Sequence, residues 1–299
     1  MFNNKKVAVV GIPGKWSTEV IADRLETITG FRLVVDMADI ALDLVNSRVM
    51  CGDVDMTTLD GVVVKKISEI YAPSAEDRIR MLTFLESHGV RVFSSTNSMM
   101  QMMNRMSGTL ALQRLSVPMP PTIITESIEQ ALATIHQFGS VVIKPLYSTK
   151  ARGMMLLESS STESELRAEL NDYLDKNGIF YIQKKLELDG YDLGMVFIGG
   201  EYSCTYARVG SKDSWNTTIL GGGKYQLYEP TPDLIELGRL AQSSVNLDFT
   251  TVDIALTDAG PVVFEVSAFG GFKGALEGCG VDAAEAYAQH VIRKLGEKT

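Results

Sequence analysis

Residues 251–267 read Thr251-Val-Asp253-Ile-Ala-Leu-Thr-Asp-Ala-Gly-Pro-Val-Val-Phe-Glu265-Val-Ser267. Two apolar runs, Thr251–Leu256 and Pro261–Val266, are each long enough for a strand, and each has one acid embedded in it. Side chains alternate along a strand, so Glu265 and Ser267 share a face, and Asp253 joins them if the strands pair. Two carboxylates in an apolar setting are costly unless a cation neutralises them, so the pattern suggests a metal. Mg²⁺ suits it, because that ion takes one or two carboxylates and completes its shell with waters and phosphate oxygens. The plainer alternative has both acids at strand ends, facing solvent.

Upstream, Val141-Val-Ile-Lys144-Pro145 places a lysine at the exit of another buried strand. It stands directly before the small-residue turn Ser148-Thr149-Lys150-Ala151-Arg152-Gly153. Backbone N–H groups exposed in such a turn, with a lysine beside them, can cradle phosphate oxygens. An edge-strand lysine followed by a plain hairpin has the same local look. Further on, Tyr181-Ile-Gln183-Lys184-Lys185-Leu186 ends a third strand. Its backbone can read an adenine edge while apolar neighbours cover the faces, although an ordinary strand closed by solvated lysines would read alike.

The first third alternates strand and helix. Strands are expected at Val7–Val10, Phe31–Val35, Gly61–Val64 and Val90–Phe93. Helices are expected over Ser17–Thr29, with Ser17 or Thr18 as cap, and over Ala75–His88. This rhythm implies an α/β lobe with a mostly parallel sheet. Gly11-Ile-Pro-Gly14-Lys15 invites comparison with a phosphate loop, but Val9 stands where that loop needs its first glycine. Pro13 fills the second glycine of a dinucleotide fingerprint, so a turn after the first strand is explanation enough.

Asn97–Leu115 reads as one helical connector rich in methionine, an adaptable core filler, and Pro118, Pro120 and Pro121 end it. A compact α+β unit follows, with helices over Ser127–Phe138 and Thr162–Lys176 and strands at Val141–Lys144, Met154–Leu157 and Phe180–Gln183. Tyr191–Ile198 and Tyr202–Val209 flank Gly199-Gly200, a strong hairpin signal. Helices over Pro232–Val245 and Asp282–Lys294 complete the pattern.

A chain of 299 residues suggests two or three lobes sharing an interface. Its hydrophobic share of 45% supplies enough apolar surface to offset chain entropy, which argues against disorder. A net charge of -9, spread along the chain, argues against nucleic acid as a partner, because phosphate is drawn to a basic field. Cys51, Cys204 and Cys279 are odd in number and far apart, as expected of reduced thiols in the cytoplasm. His88, His136 and His290 are too scattered for zinc. No apolar run approaches the ~20 residues of a membrane span. The short run after the basic start is expected to be a buried strand rather than a signal peptide.

Taken in order, these motifs resemble the ATP-grasp superfamily, and among its members the RimK-type carboxylate–amine ligases that add glutamate or related amino acids. The order is a basic residue before a Pro-x-Thr segment, a strand ending Lys-Pro with a small-residue loop, and a Gln-x-x-Leu strand end. An Asp on a hairpin, an Arg and an Asn follow, and then Asp253 with Glu265-x-Ser267. The resemblance runs from Asp60-Gly-Val-Val-Val64 to the last helix. It implies an ATP-grasp fold in which an N-terminal α/β lobe (1–96) precedes two α+β lobes, 97–183 and 184–299, that clasp the nucleotide.

The resemblance also implies roles. Arg105 stands where such enzymes have their first ATP lysine, and Lys144 is the second, reaching the α- and β-phosphates. Ser148, Thr149 and Gly153 belong to a lid over the phosphates. Gln183, Lys184, Lys185 and Leu186 occupy the adenine hinge, and Asp192 the ribose-contacting position. Arg208 matches the arginine that neutralises charge on the transferring phosphoryl group, and Asn216 a segment contacting nucleotide or substrate. Asp253, Glu265 and Ser267 match the ligands of Mg²⁺, with Mn²⁺ an alternative.

The implied activity is ATP-dependent activation of a small-molecule or peptide carboxylate as an acyl phosphate, followed by transfer to an amine. The implied assembly is a homo-oligomer, dimer or tetramer, without nucleic-acid or membrane partners. The sequence departs from the family pattern at Asn104-Arg105, where Asp-Lys is usual, and at Lys184, which replaces an acid. It departs again at Ser148 and Ala151, where glycines are common, and at Ser267, where Asn is common. A catalytically weakened ATP- or ADP-binding regulatory or partner protein is the alternative that those departures raise.

Overall fold

Short uninterrupted apolar runs build the first sheet. β1 (Val7–Val10) is buried along its length, with Val7 and Val9 entering one core and Ala8 and Val10 another. A parallel strand covered on both faces needs that composition. The computed structural model describes residues 4–70, 72–148, 151–210 and 223–297.

α1 (Trp16–Thr29) starts from Lys15 with no side-chain cap, so neither Ser17 nor Thr18 serves as one. Thr18 packs on the preceding turn instead, where a side chain on Gly11 would lie 2.5 Å from its hydroxyl. β2 is only Val34–Val35, shorter than the expected Phe31–Val35. β3 (Ile40–Asp43), β4 (Arg48–Cys51) and β5 (Val54–Asp55), unexpected from the sequence pattern, form a small antiparallel sheet. Each is too short for a clear period-2 signal. β6 (Gly61–Val64), α2 (Ser74–Ser87) and β7 (Arg91–Phe93) complete the lobe, whose main sheet is parallel in the order β2-β1-β6-β7.

The single helix expected over 97–115 is two, α3 (Thr96–Met103) and α4 (Arg105–Arg114). Asn104 separates them, extended at φ -99 and ψ 122, and its side-chain oxygen accepts from the N–H groups of Met106 and Ser107. Asparagine favours a cap over a helix interior because its short amide competes for nearby backbone groups. The break has a consequence for the cleft: it makes Arg105 the first residue of a new helix. Met99 and Met103 fill the first lobe's core, as expected of adaptable side chains.

The central lobe comprises β8 (Thr122–Thr125), α5 (Ile128–Phe138), β9 (Ser140–Ile143), β10 (Met155–Glu158), α6 (Glu163–Asn177) and β11 (Phe180–Lys184). Its antiparallel sheet runs β10-β9-β11-β8, and Leu132, Ile135, Leu166 and Leu170 of the two helices pack on Val141, Ile143 and Ile182. Thr162 and Glu165 form a reciprocal capping box at the start of α6.

The C-terminal part contains β12 (Tyr191–Ile198), β13 (Glu201–Val209), β14 (Lys224–Leu227), α7 (Pro232–Ser243), β15 (Phe249–Thr257), β16 (Gly260–Ser267), α8 (Lys273–Cys279) and α9 (Ala283–Gly296). Its antiparallel sheet runs β14-β13-β12-β15-β16. The β12–β13 turn is the expected Gly199-Gly200, at φ +59 and +84, a backbone that favours glycine.

Packing crosses both sequence boundaries. One core joins Val7, Ile21, Val63 and Phe93 of the first lobe to Phe249, Phe272, Tyr287 and Val291 of the last. Another joins Ala111 and Leu112 of α4 to Leu193, Val252 and Val266 of the C-terminal sheet. Each such fully buried large side chain contributes about 1.5–3 kcal/mol. The first lobe and α4 are therefore fixed relative to the C-terminal sheet. Among the described residues no helix is long and apolar enough to cross a membrane.

Candidate active site

The cleft has one wall from the C-terminal sheet and one from the central lobe with the start of α4. On the first wall, β15 and β16 pair antiparallel, with Asp253 opposite Glu265 and Thr251 opposite Ser267. The two acids therefore sit side by side. The register slips by one residue beside Asp253, a bulge that leaves Val263 and Val266 both pointing into the core. Phe264 and Glu265 are left facing the cleft, where Phe264 meets Lys144 and Glu265 meets Arg105. Burial, reinforced by the charges of Glu265 and Asp192 and opposed by Arg208, pushes the Asp253 carboxyl up to about 7.

Arg208 of β13 stands opposite Asp192 of β12. Its Nε donates to Asp192 Oδ1 at 3.1 Å and its Nη2 to Asp192 Oδ2, while the same Nη2 lies 3.0 Å from Asp253 Oδ2. Burial disfavours the guanidinium charge, but Asp253 and Asp192 outweigh it and hold the group well above its ordinary value. Asp192 is itself buried. Its carboxylate, expected at the ribose, is engaged with Arg208.

Gly194 pairs with Asp253 on one side and Tyr206 on the other, and a methyl group there would lie 2.4 Å from the Tyr206 ring. The glycine makes room for a buried phenol beside the acids. Tyr206 was not among the expected site residues; a glycine inside a strand, which often marks close approach, is the signal the sequence offers for it.

On the other wall, Lys144 follows β9 directly. Its Nζ donates to Gln183 Oε1 at 2.5 Å, and the Gln183 amide donates to Thr122 Oγ1 at 3.2 Å. Desolvation, helped by the charge of Arg105 and opposed by Glu265, pushes the Lys144 ammonium down to about 7. An anion beside it would restore the charged form. Arg105 donates from its backbone N–H to Leu146 O at 3.0 Å, from Nε to Pro145 O at 3.2 Å, and from Nη1 to Glu265 Oε2 at 3.1 Å. It ties the turn after Lys144 to the acid on the opposite wall.

In that turn, Ser148 Oγ donates to Arg152 O at 2.6 Å, and Gly153 has φ +69. Ala151 has φ +57, a left-handed conformation that costs a non-glycine residue roughly 1–2 kcal/mol. Tyr147 donates to Glu76 Oε1 at 2.8 Å and Arg152 to Glu69 O at 3.3 Å, so the turn also rests on the first lobe. Thr149 and Asn216 lie outside the described residues.

At the end of β11, Lys184 is exposed and donates its N–H to Pro121 O at 2.9 Å. Lys185 donates its N–H to Ser140 O and pairs through Nζ with Glu187, each at 2.9 Å, and Leu186 is half-buried. These three stand apart from the charged cluster.

Ser267 is half-buried, and its carbonyl accepts from Thr250 Oγ1 at 2.8 Å. No three His, Cys, Asp or Glu side chains gather as a metal site among the described residues. Two facing carboxylates with one serine fit instead an ion that draws most of its shell from phosphate and water, as Mg²⁺ does.

Lys65, just after β6, is a second residue that the sequence motifs do not single out. It is buried, donates to Gly270 O, and stands 4.3 Å from the Phe272 ring centroid, with its ammonium pushed down to about 7 by burial. A charged residue ending a buried run was its only signal.

Cations and an arginine-braced acid pair face each other between an antiparallel lobe and a second sheet, and together they form the candidate site. Comparison with known proteins makes the class specific. The RimK-like ATP-grasp domain matches residues 97–291, and the chain belongs to that family. It is an ATP-grasp ligase. A tetrahydromethanopterin:alpha-L-glutamate ligase from Methanosarcina acetivorans is 22% identical over 96% of this chain and 100% of its own length.

Among solved structures, an ATP-grasp RimK domain protein from Sphaerobacter thermophilus has 20% identity and a TM-score of 0.74, covering 95% of this chain and 98% of that one. The ATP-grasp ligase PsnB, in complex with a variant of its minimal precursor, Mg and ADP, has 16% identity and a TM-score of 0.75. That match covers 98% of this chain and 99% of PsnB. Both establish the ATP-grasp fold.

Proposed function

We propose that the protein uses ATP and Mg²⁺ to activate the carboxylate of a small molecule or peptide as an acyl phosphate, which it transfers to the amine of an amino acid such as glutamate. The observation that carries this reading is the pairing of Asp253 with Glu265 on a wall faced by Arg105 and Lys144. Glutamate is the first amine to test because it is named in the activity of the Methanosarcina acetivorans relative.

In this reading Asp253 and Glu265, with Ser267, hold Mg²⁺, or Mn²⁺ in its place. When bound, the ion neutralises charge on the phosphate oxygens. Lys144 and Arg105 bind the phosphates, and the turn 148–153, Thr149 and Gly153 included, covers them. Gln183 orients Lys144 through their hydrogen bond. Lys184, Lys185 and Leu186 border the base, and Asn216 contacts nucleotide or substrate. Arg208 meets charge developing on the transferring phosphoryl group. A carboxylate oxygen attacks phosphorus and ADP leaves; the amine then attacks the acyl carbon and phosphate leaves. The protein contributes alignment and fixed charge rather than a nucleophile. Unpaired Cys51, Cys204 and Cys279 accord with a cytoplasmic setting.

The test is ADP release from ATP and Mg²⁺ across paired carboxylates and amines, glutamate included. Sustained release should require both partners, and Glu265→Ala should lower it by about 100-fold or more. Unchanged turnover in that variant would remove Glu265 from the site. Tight ADP binding with no turnover from any pair would favour the weakened regulatory or partner protein.

A further inference from the structure

Two buried acids compete for one arginine. Arg208 Nη2 donates to Asp192 and lies 3.0 Å from Asp253 Oδ2, while Nε donates to Asp192 alone, at 3.1 Å. Asp192 therefore grips the Nε–Nη2 edge of the guanidinium with both carboxylate oxygens, and Asp253 shares only Nη2. The arrangement is set by the sheet: Asp192 and Arg208 are register partners on β12 and β13, and Asp253 follows on β15 across Gly194. Asp192 is 5% exposed, so its charge has little access to water and its partner is part of the fold.

We propose that Asp192 is a positioning residue that retains Arg208 and so leaves Asp253 available to Mg²⁺. Among the described residues the carboxylates that Arg208 meets are those of Asp192 and Asp253, so an arginine released by Asp192 will turn to Asp253. An Asp253 saturated by guanidinium presents its oxygens to a charge-assisted donor rather than to a metal. With Asp192 in place, Arg208 gives up the single shared contact when a metal arrives and keeps its bidentate pair. It then remains charged and aimed beside the metal. The inference rests on the reading of Asp253 and Glu265 as Mg²⁺ ligands, and it departs from a ribose contact for Asp192.

The experiment is calorimetric titration of the full chain with ADP, without metal and at stepped Mg²⁺ concentrations. In Asp192→Asn the Mg²⁺ concentration needed for half of the gain in ADP affinity should rise about 10-fold or more. Metal-free ADP affinity should stay within about 3-fold, a difference well under 1.4 kcal/mol. The double variant D192N/R208M removes the pair as a unit, so no arginine competes for Asp253. Its Mg²⁺ requirement should return to within about 3-fold of the wild type.

Weaker metal-free ADP binding in either variant, with an unaltered Mg²⁺ requirement, would overturn the inference in favour of ribose contact. An Mg²⁺ requirement unmoved in Asp192→Asn would also overturn it. Where the single variant does not fold, the double variant still separates the two roles. A wild-type chain whose ADP affinity ignores Mg²⁺ would sink the metal reading itself, which is a different failure.

Discussion

The two walls of the cleft are built on different principles. Asp192, Arg208, Asp253 and Glu265 lie on four hydrogen-bonded strands of one sheet, each a register partner of another or one strand removed. Arg105, Lys144 and residues 151–153 lie at a helix start, just past a strand end and in a turn. A ladder fixes side chains relative to each other to within the pleat, whereas element ends can shift without breaking a sheet. Charges that must meet a developing transition state gain from the first arrangement, because preorganised dipoles and ions need no rearrangement at the moment of reaction. Groups that must admit and cover a nucleotide gain from the second.

By that contrast, the largest effect belongs to the sheet wall. Arg208→Met leaves Asp192 and Asp253 buried without their cation and should cost about 3–5 kcal/mol in urea unfolding. ADP release should fall by about 10²–10³. A variant of wild-type stability would show that the buried pair is solvated and the wall less fixed than its geometry indicates.

On the opposite wall the sign should reverse. Lys144 titrates near 7 when folded and near the ordinary lysine value when unfolded. The unfolded chain therefore binds more protons between those values, so the lysine's cost to stability is full below about pH 7 and is relieved as pH rises towards about 10. Lys144→Met should stabilise the ligand-free protein at neutral pH by on the order of 2 kcal/mol, with the gain shrinking by about pH 10. Its ADP release should nevertheless fall. Urea midpoints at the two pH values read the slope, and equal gains at both would contradict it.

The smallest effect tests the turn. Ala151→Gly removes left-handed strain but frees the unfolded chain, so net stability should move by less than about 1 kcal/mol. Its ADP affinity should change by no more than about 3-fold, since no side-chain contact is lost. A large gain in affinity would mean that strain at Ala151 holds the turn away from the nucleotide.

The acid pair was legible because a single acid inside an apolar run is a local signal, with Asp253 between core residues Val252 and Ile254 and Glu265 next to Val266; the bulge that puts Phe264 on the same side as Glu265 was not. Lys144 was legible for a similar reason, since a lysine ending an apolar run directly before a small-residue turn is a local pattern. The break at Asn104 was not, because a methionine-rich helical pattern masks a single cap that matters only when two helices part. Lys65 was hidden because a buried ammonium depends on Gly270 O and Phe272, more than two hundred residues away. The partner of Arg208 was hidden too. From sequence Asp192 and Arg208 were separate residues with separate roles, and only the β12–β13 register sets them opposite each other.

By itself, then, the sequence determined the sheets' faces, the carriers of charge and the family, because composition, alternation and motif order are properties of the chain. Which charges touch was decided by the tertiary structure. Strand register, the bulge beside Asp253 and the burial that makes Arg208 choose between two acids all arise from packing between distant segments, and Coulomb energies at 3 Å turn on those placements.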